Sequence, residues 1–393
     1  MSRKIGGVVG VNSQVNLRKS FWMGGLAVAS ALAACGGSTP PSAPVAEHKS
    51  APVISLPQVL DAGPVADSDA GAAMARTVAP TTTIAAHQGV VTAVAVDGPW
   101  VYWLNAAGVI KRGNTAGGPS FTVADVGPEA ARSLSVAAGN AYSAVVSSKT
   151  KSITVFRTNA DLANKPESIG GSPSRYFAFL GADKVSTVWG SLDTNRKLTL
   201  FALQSGQKTA HALPPVDASA PGTHVGLTST DAYFCDGGKI NSVSLKTGKL
   251  TTTLALNGDT QMIVDFAIAG DRVYASVWDA DHGDIGTVKS TSIISAPLGG
   301  GAPNVLLHED RRNVFSLVAD ASNLYYVDRE MPASTGTTDG NIMKLPLGGG
   351  APVPLVTHQK YPNAVALDDD SVFWTAEIPN ALTTDGSIFK IAK

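Results

Sequence analysis

The chain has 393 residues, of which 44% are hydrophobic and only 16% charged, with 40 glycines, two cysteines and a formal net charge of −1. The first 34 residues carry Arg3, Lys4, Arg18 and Lys19 and no acid, so the remainder is mildly acidic, and it shows no basic stripe. That argues against a nucleic-acid partner, and two cysteines are too few for a disulfide scaffold.

Arg18 and Lys19 precede an apolar run from Phe21 to Ala34 that closes as Leu32-Ala33-Ala34-Cys35-Gly36. A basic flank, a short apolar core and small residues before a cleavage point describe an export signal, too short for a comfortable bilayer span. The Leu-Ala-Ala-Cys ending resembles the bacterial lipobox. That resemblance implies removal of residues 1–34, diacylglycerol on the sulfur of Cys35 and acylation of its freed amine. Acyl chains at about 0.8 kcal/mol per buried methylene anchor a protein without a membrane-spanning helix. By the same analogy, Gly36 in place of Asp points to the outer membrane of a cell envelope. Residues 35–78 are rich in Pro, Ala and Ser and lack periodicity, which predicts a flexible tether. With Cys35 lipidated, Cys235 is left without an intrachain partner and reads as a buried strand thiol.

From about Ala79 an alternating apolar pattern begins, the mark of half-buried strands. A unit recurs along 79–393: an apolar strand ends at an Asp-containing turn, and a second strand ends in an aromatic pair. A third strand of the type Gly-x-Ile-x-Lys/Arg follows, and then a Gly-rich turn leads to a fourth. The pairs are Tyr102-Trp103, Tyr325-Tyr326 and Phe373-Trp374, with weaker copies at Tyr142, Trp189, Tyr233-Phe234 and Tyr274. The third strands begin at Gly108, Gly340 and Gly386. Seven units of about 45 residues make an all-β, single β-propeller of seven blades. Six is the alternative, because the second and third copies are degenerate.

The run from Ile84 to Trp103 returns from Leu355 to Trp374 at a constant offset without a gap. The last unit stops at Lys393 with three strands, so Thr81–Ala86 is expected to supply its fourth and close the ring. The Tyr-Trp pairs and the phrase Gly-x-Ile-x-Lys-x-Pro-Leu-Gly-Gly resemble the YWTD/NHL-like β-propellers, particularly propeller lipoproteins of myxobacteria and related bacteria. The resemblance implies a binding or scaffolding role and transfers no catalytic residue. Rings of the YWTD type have six blades, so seven departs from that group.

In a propeller, the connections between blades and those joining second to third strands share one face. That places His308, His358 and His87 on the entries to blades 6, 7 and 1. The longest second-to-third loops, in blades 5 to 7, add Asp279, Asp281, His282 and Asp284, then Asp328 and Arg329, then Glu377. Imidazoles and carboxylates gathered on one rim are capable of holding a divalent metal or a polar ligand. The plainer reading is a solvated rim with no cofactor, because the Asp-rich loop lacks the downstream Glu of a calcium loop. The aromatic pairs are expected in the core rather than in a sugar-stacking site. No nucleophile-elbow motif occurs. The expected function is an envelope-anchored propeller that binds or scaffolds protein or polysaccharide partners. The alternative is a propeller-type lyase or hydrolase using the His, Asp and Glu residues of the same rim.

Overall fold

A computed structural model describes residues 80–393, apart from 162–164, 175, 219–220, 258–259, 281–287, 331–338 and 380–383. The segments expected to be an export signal (1–34) and a tether (35–78), with Cys35, therefore lie outside the described residues. Those described form 29 β-strands in seven antiparallel sheets. Each of the first six sheets is built from consecutive strands, which makes it one blade. The innermost strands are Val91–Asp97, Ala130–Ala137, Tyr176–Ala182, Pro221–Leu227, Gln261–Ala269, Arg312–Ala319 and Pro362–Leu367. Each packs beside the next, and the last packs against the first, so the ring is closed and has seven blades. The third blade departs from the pattern, because its outer edge is split. His211–Ala212 and Val216–Asp217 pair separately with Lys197–Gln204.

The seventh sheet runs Pro362–Leu367, Ser371–Pro379, Thr384–Ala392 and then Thr82–Ala85 from the other end of the described chain. Thr82 faces Lys390, Thr83 faces Phe389 and Ala85 faces Ile388. This is the closure expected from the incomplete last repeat. It covers a sheet edge whose free N–H and C=O groups would otherwise offer a template for another strand.

The core is divided into seven clusters, one between each pair of neighbouring blades. That division explains why the aromatics come in pairs. Successive side chains of a strand point to opposite faces, so two adjacent aromatics serve two different interfaces. Tyr102 packs between blades 1 and 2, whereas Trp103 packs between blades 7 and 1 with Ile84, Phe373 and Ile388. Tyr325 and Trp374 meet between blades 6 and 7, and Tyr326 turns to blade 5. All of these rings are essentially without solvent exposure, in keeping with the core reading.

The Gly of the Gly-x-Ile-x-Lys/Arg phrase marks where the chain entering the next blade crosses the third strand. A Cβ on Gly108 would stand 1.8 Å from the Gly127 carbonyl oxygen, and one on Gly386 would stand 2.4 Å from that of Gly89. At the second crossing Gly386 N–H donates to the Gly89 carbonyl, and Gln88 N–H donates back to the Gly386 carbonyl, at 2.7 and 3.0 Å. The Ile of the phrase (Ile110, Ile342, Ile388) is fully buried in each copy.

Every innermost strand slips register against its second strand, as between Val91 and Ala93, Pro221 and Val225, Ile263 and Asp265, and Phe315 and Val318. A bulge at the same stage of all seven strands re-aims side chains around the axis of the ring.

Candidate functional site

Part of the rim expected from the sequence is held by the fold, and part lies outside the described residues. His87 has a left-handed backbone (φ 58°) just after the closing strand, and its Nδ1 contacts the Asp385 carboxylate across the blade 7 seam. His358 has the same conformation (φ 55°) at the matching position of blade 6, where its N–H donates to Asn341 Oδ1 at 3.3 Å. His308 lies within the outer strand of blade 5, paired with Ser292 Oγ at 2.9 Å and near Asp310 at 3.5 Å. His308 and His358 thus belong to outer strands that run further than their sequences indicated, rather than to the loops proposed for them.

Asp328 is almost fully buried and accepts two hydrogen bonds from the guanidinium of Arg312, from Nε at 2.7 Å and from Nη2. Beside it, the Tyr326 hydroxyl is raised above its ordinary pKa, chiefly by burial and then by Asp328 and Glu309. The Arg329 guanidinium sits 4.4 Å above the Phe315 ring. Asp279 is half-buried, facing Gln261 across the ladder. Glu377 is placed by its backbone alone, opposite Gly386. Asp281, His282 and Asp284 lie outside the described residues. Among the described residues no three His, Cys, Asp or Glu side chains are gathered closely enough to hold a metal ion.

What the repeated His-Gln dipeptide does is structural, and the glutamine does it. Gln88 Oε1 accepts the Trp103 indole N–H at 3.3 Å and the Lys111 ammonium at 3.0 Å. Gln359 Oε1 accepts the Trp374 indole N–H at 3.1 Å. A buried indole N–H left without a partner is costly, so the repeat keeps its Trp and Gln together. In blade 3 the corresponding position is Ser174, and among the described residues the Trp189 indole N–H has no partner.

One polar constellation was not nominated from the sequence. Asp265, in the middle of the innermost strand of blade 5, is 7% exposed and serves three blades. Its Oδ1 accepts the Phe266 N–H at 2.8 Å, and its Oδ2 accepts the Leu317 N–H of blade 6 at 2.8 Å. The Nδ1 of His224, in the bulge of blade 4, lies 3.1 Å from Oδ1. The His224 side chain is 47% exposed, and its ring meets Phe266 edge-on at 5.7 Å. Burial works against the charged ring, but the Asp265 carboxylate outweighs it and holds the His224 pKa above its ordinary value. Behind this pair, burial pushes the Cys235 thiol up to about 12, with Asp265 adding to the effect. Such a thiol is inert as a nucleophile. The available signal was the acid itself, set within Met262-Ile-Val-Asp-Phe-Ala-Ile-Ala, whereas no other innermost strand carries an acidic residue before its final position.

The chain matches no protein-family model and no curated protein sequence. Solved structures give its fold. The β-propeller domain of the Trilobed protease from Pyrococcus furiosus, described as having an open velcro topology, aligns over 78% of this chain and 95% of its own. It does so at a TM-score of 0.56 and 10% identity. The computationally designed Ika8 protein aligns over 77% and 86%, at 0.52 and 16%. The tricorn protease aligns over 76% of this chain but only 34% of its own length, at 0.50 and 14%. Similarity at these identities is similarity of fold alone. The class is therefore a seven-bladed β-propeller, and in this chain the seam is closed by Thr82–Ala85.

Proposed function

We propose that this protein is an envelope-anchored propeller lipoprotein that acts as a binding or scaffolding module for a protein or polysaccharide partner. Anchoring rests on the sequence ending in Cys35, and the tether would hold the ring away from an outer-membrane surface. The YWTD/NHL-like phrase in the repeats favours the same role.

The observation that carries the binding role is where the polar rim groups are engaged. Asp328 on Arg312, Arg329 on Phe315, His308 on Ser292 and His87 on Asp385 all hold the frame together. A frame fixed in this way gives blades 5 to 7, where the sequence has its longest second-to-third connections, firm strand ends, and recognition residues are commonly carried on connections held by a rigid scaffold. Hydrolysis or elimination would instead require titratable groups converging on one reacting atom.

The test is affinity capture from detergent-solubilised membranes, with wild type beside a variant carrying His87→Ala, Asp281→Ala and His358→Ala. Loss of specific partners from the variant supports the rim as the working surface, and identical partners reject it. Cys35→Ser should move the protein from the membrane to the soluble fraction; retention in the membrane fraction rejects the lipid anchor.

A further inference from the structure

We infer that His224 and Asp265 form a proton-sensitive tie between blades 4 and 5, fastened while the imidazole carries its proton and loosened when it loses it. The tie stands on geometry. Asp265 is fixed from two other sides by the amides of Phe266 and Leu317, so its carboxylate cannot swing away to follow a departing charge. His224 approaches the same carboxylate from the neighbouring blade, on a bulge that places it there, and about half of its side chain stays open to solvent. Protons can therefore reach the ring without the blades separating.

Among the described residues, Asp265 is the charged group that bears on the His224 ring. The innermost strand of blade 3, Tyr176–Ala182, contains no charged residue, and Asp265 is the only one in Gln261–Ala269 of blade 5. The second strand of blade 4 brings Asp231 and Asp236 at its ends and the protonated Cys235 thiol between them. Asp265 is the charged group that raises the His224 pKa, against the opposing effect of burial.

The sign follows from that direction. A histidine whose folded pKa is raised binds its proton more tightly in the native ring than in the unfolded chain. Its contribution is complete below the unfolded value of 6.5 and is lost as pH rises through the higher folded value. The ring should hold together better in mildly acidic surroundings than in alkaline ones. Opening between blades 4 and 5 would loosen the ring at the edge of blade 5.

The experiment uses the full-length protein in detergent, with thermal unfolding followed between pH 5.5 and pH 8.5. The wild-type midpoint should fall by about 1–2 °C across that range. His224→Gln should abolish the fall, while His358→Gln, which alters an exposed histidine of another blade, should retain it. A wild-type midpoint without the fall, or a His224→Gln variant that keeps it, overturns the inference. Resonance titration of the wild-type imidazoles gives a second reading. The His224 signal, assigned by its loss in His224→Gln, should titrate above pH 6.5, and a midpoint at or below that value also overturns the inference.

Discussion

Single side chains in this ring matter through the partners that the repeat supplies. Trp374 and Trp103 each bury an indole whose N–H is taken by a glutamine from the preceding segment. Gln359→Ala should cost about 1–2 kcal/mol, the desolvation of an orphaned donor, and chemical denaturation reads it directly. Trp189 makes the same point in reverse, because its N–H has no partner among the described residues. Trp189→Phe should therefore be milder than Trp374→Phe by about 1 kcal/mol, and equal losses would refute the pairing argument. At the turn of blade 6, burial alone would raise the Asp320 pKa. The amides of Ser322 and Asn323, the Lys393 ammonium and the Tyr325 hydroxyl overcome that and hold it at about 2. Its contribution is present above the unfolded value of 3.8 and is lost as pH falls toward 2. Acid unfolding of Asp320→Asn should accordingly be less steep over that interval than that of wild type.

Among the elements, the strand Thr82–Ala85 carries the greatest consequence for its length. Its Ile84 is 6% exposed and belongs to the cluster joining blades 7 and 1. Ile84→Asp places an unpaired carboxylate among Val101, Trp103 and Ile388, at a cost of about 3 kcal/mol or more. Ile84→Val in the same strand should cost only about 1 kcal/mol. Removing residues up to Ala86 would do something different, exposing the edge of Thr384–Ala392 and inviting association through it. Light scattering should then show oligomers that full-length protein does not form, while a monomeric truncation of unchanged midpoint would show the closing strand to be dispensable. The element pattern was legible because each blade repeats one solution: aromatics in pairs, Ile in the third strand, Gly at the crossing. The ends of the outer strands were less so. Val353–Lys360 and Asn304–Asp310 end in residues 357–360 and 308–310, which are polar and largely exposed, so nothing in the composition of those ends separates strand from loop.

For the whole molecule, the alternating apolar strands and the return of the first segment at the far end determined a closed ring of repeated blades and favoured seven over six; the count itself was decided by the tertiary structure. Each of those features follows from local rules: side chains alternate along a strand, and an incomplete sheet edge needs a partner. The same rules put the aromatic pairs in the core. They also brought His87, His308 and His358 to matching places on consecutive blades. Whether those groups act together could not be read from spacing, because the rings of His87 and His308 are engaged by partners from within the frame, and those partners are supplied only by folding. The His224–Asp265 pair shows the limit most plainly. These two residues lie on different blades, and each innermost strand looks ordinary by its period. A register slip of one or two residues turns His224 toward the neighbouring carboxylate. Bulges of that kind are set by how seven twisted sheets fit around an axis, and that fit exists only in the assembled ring.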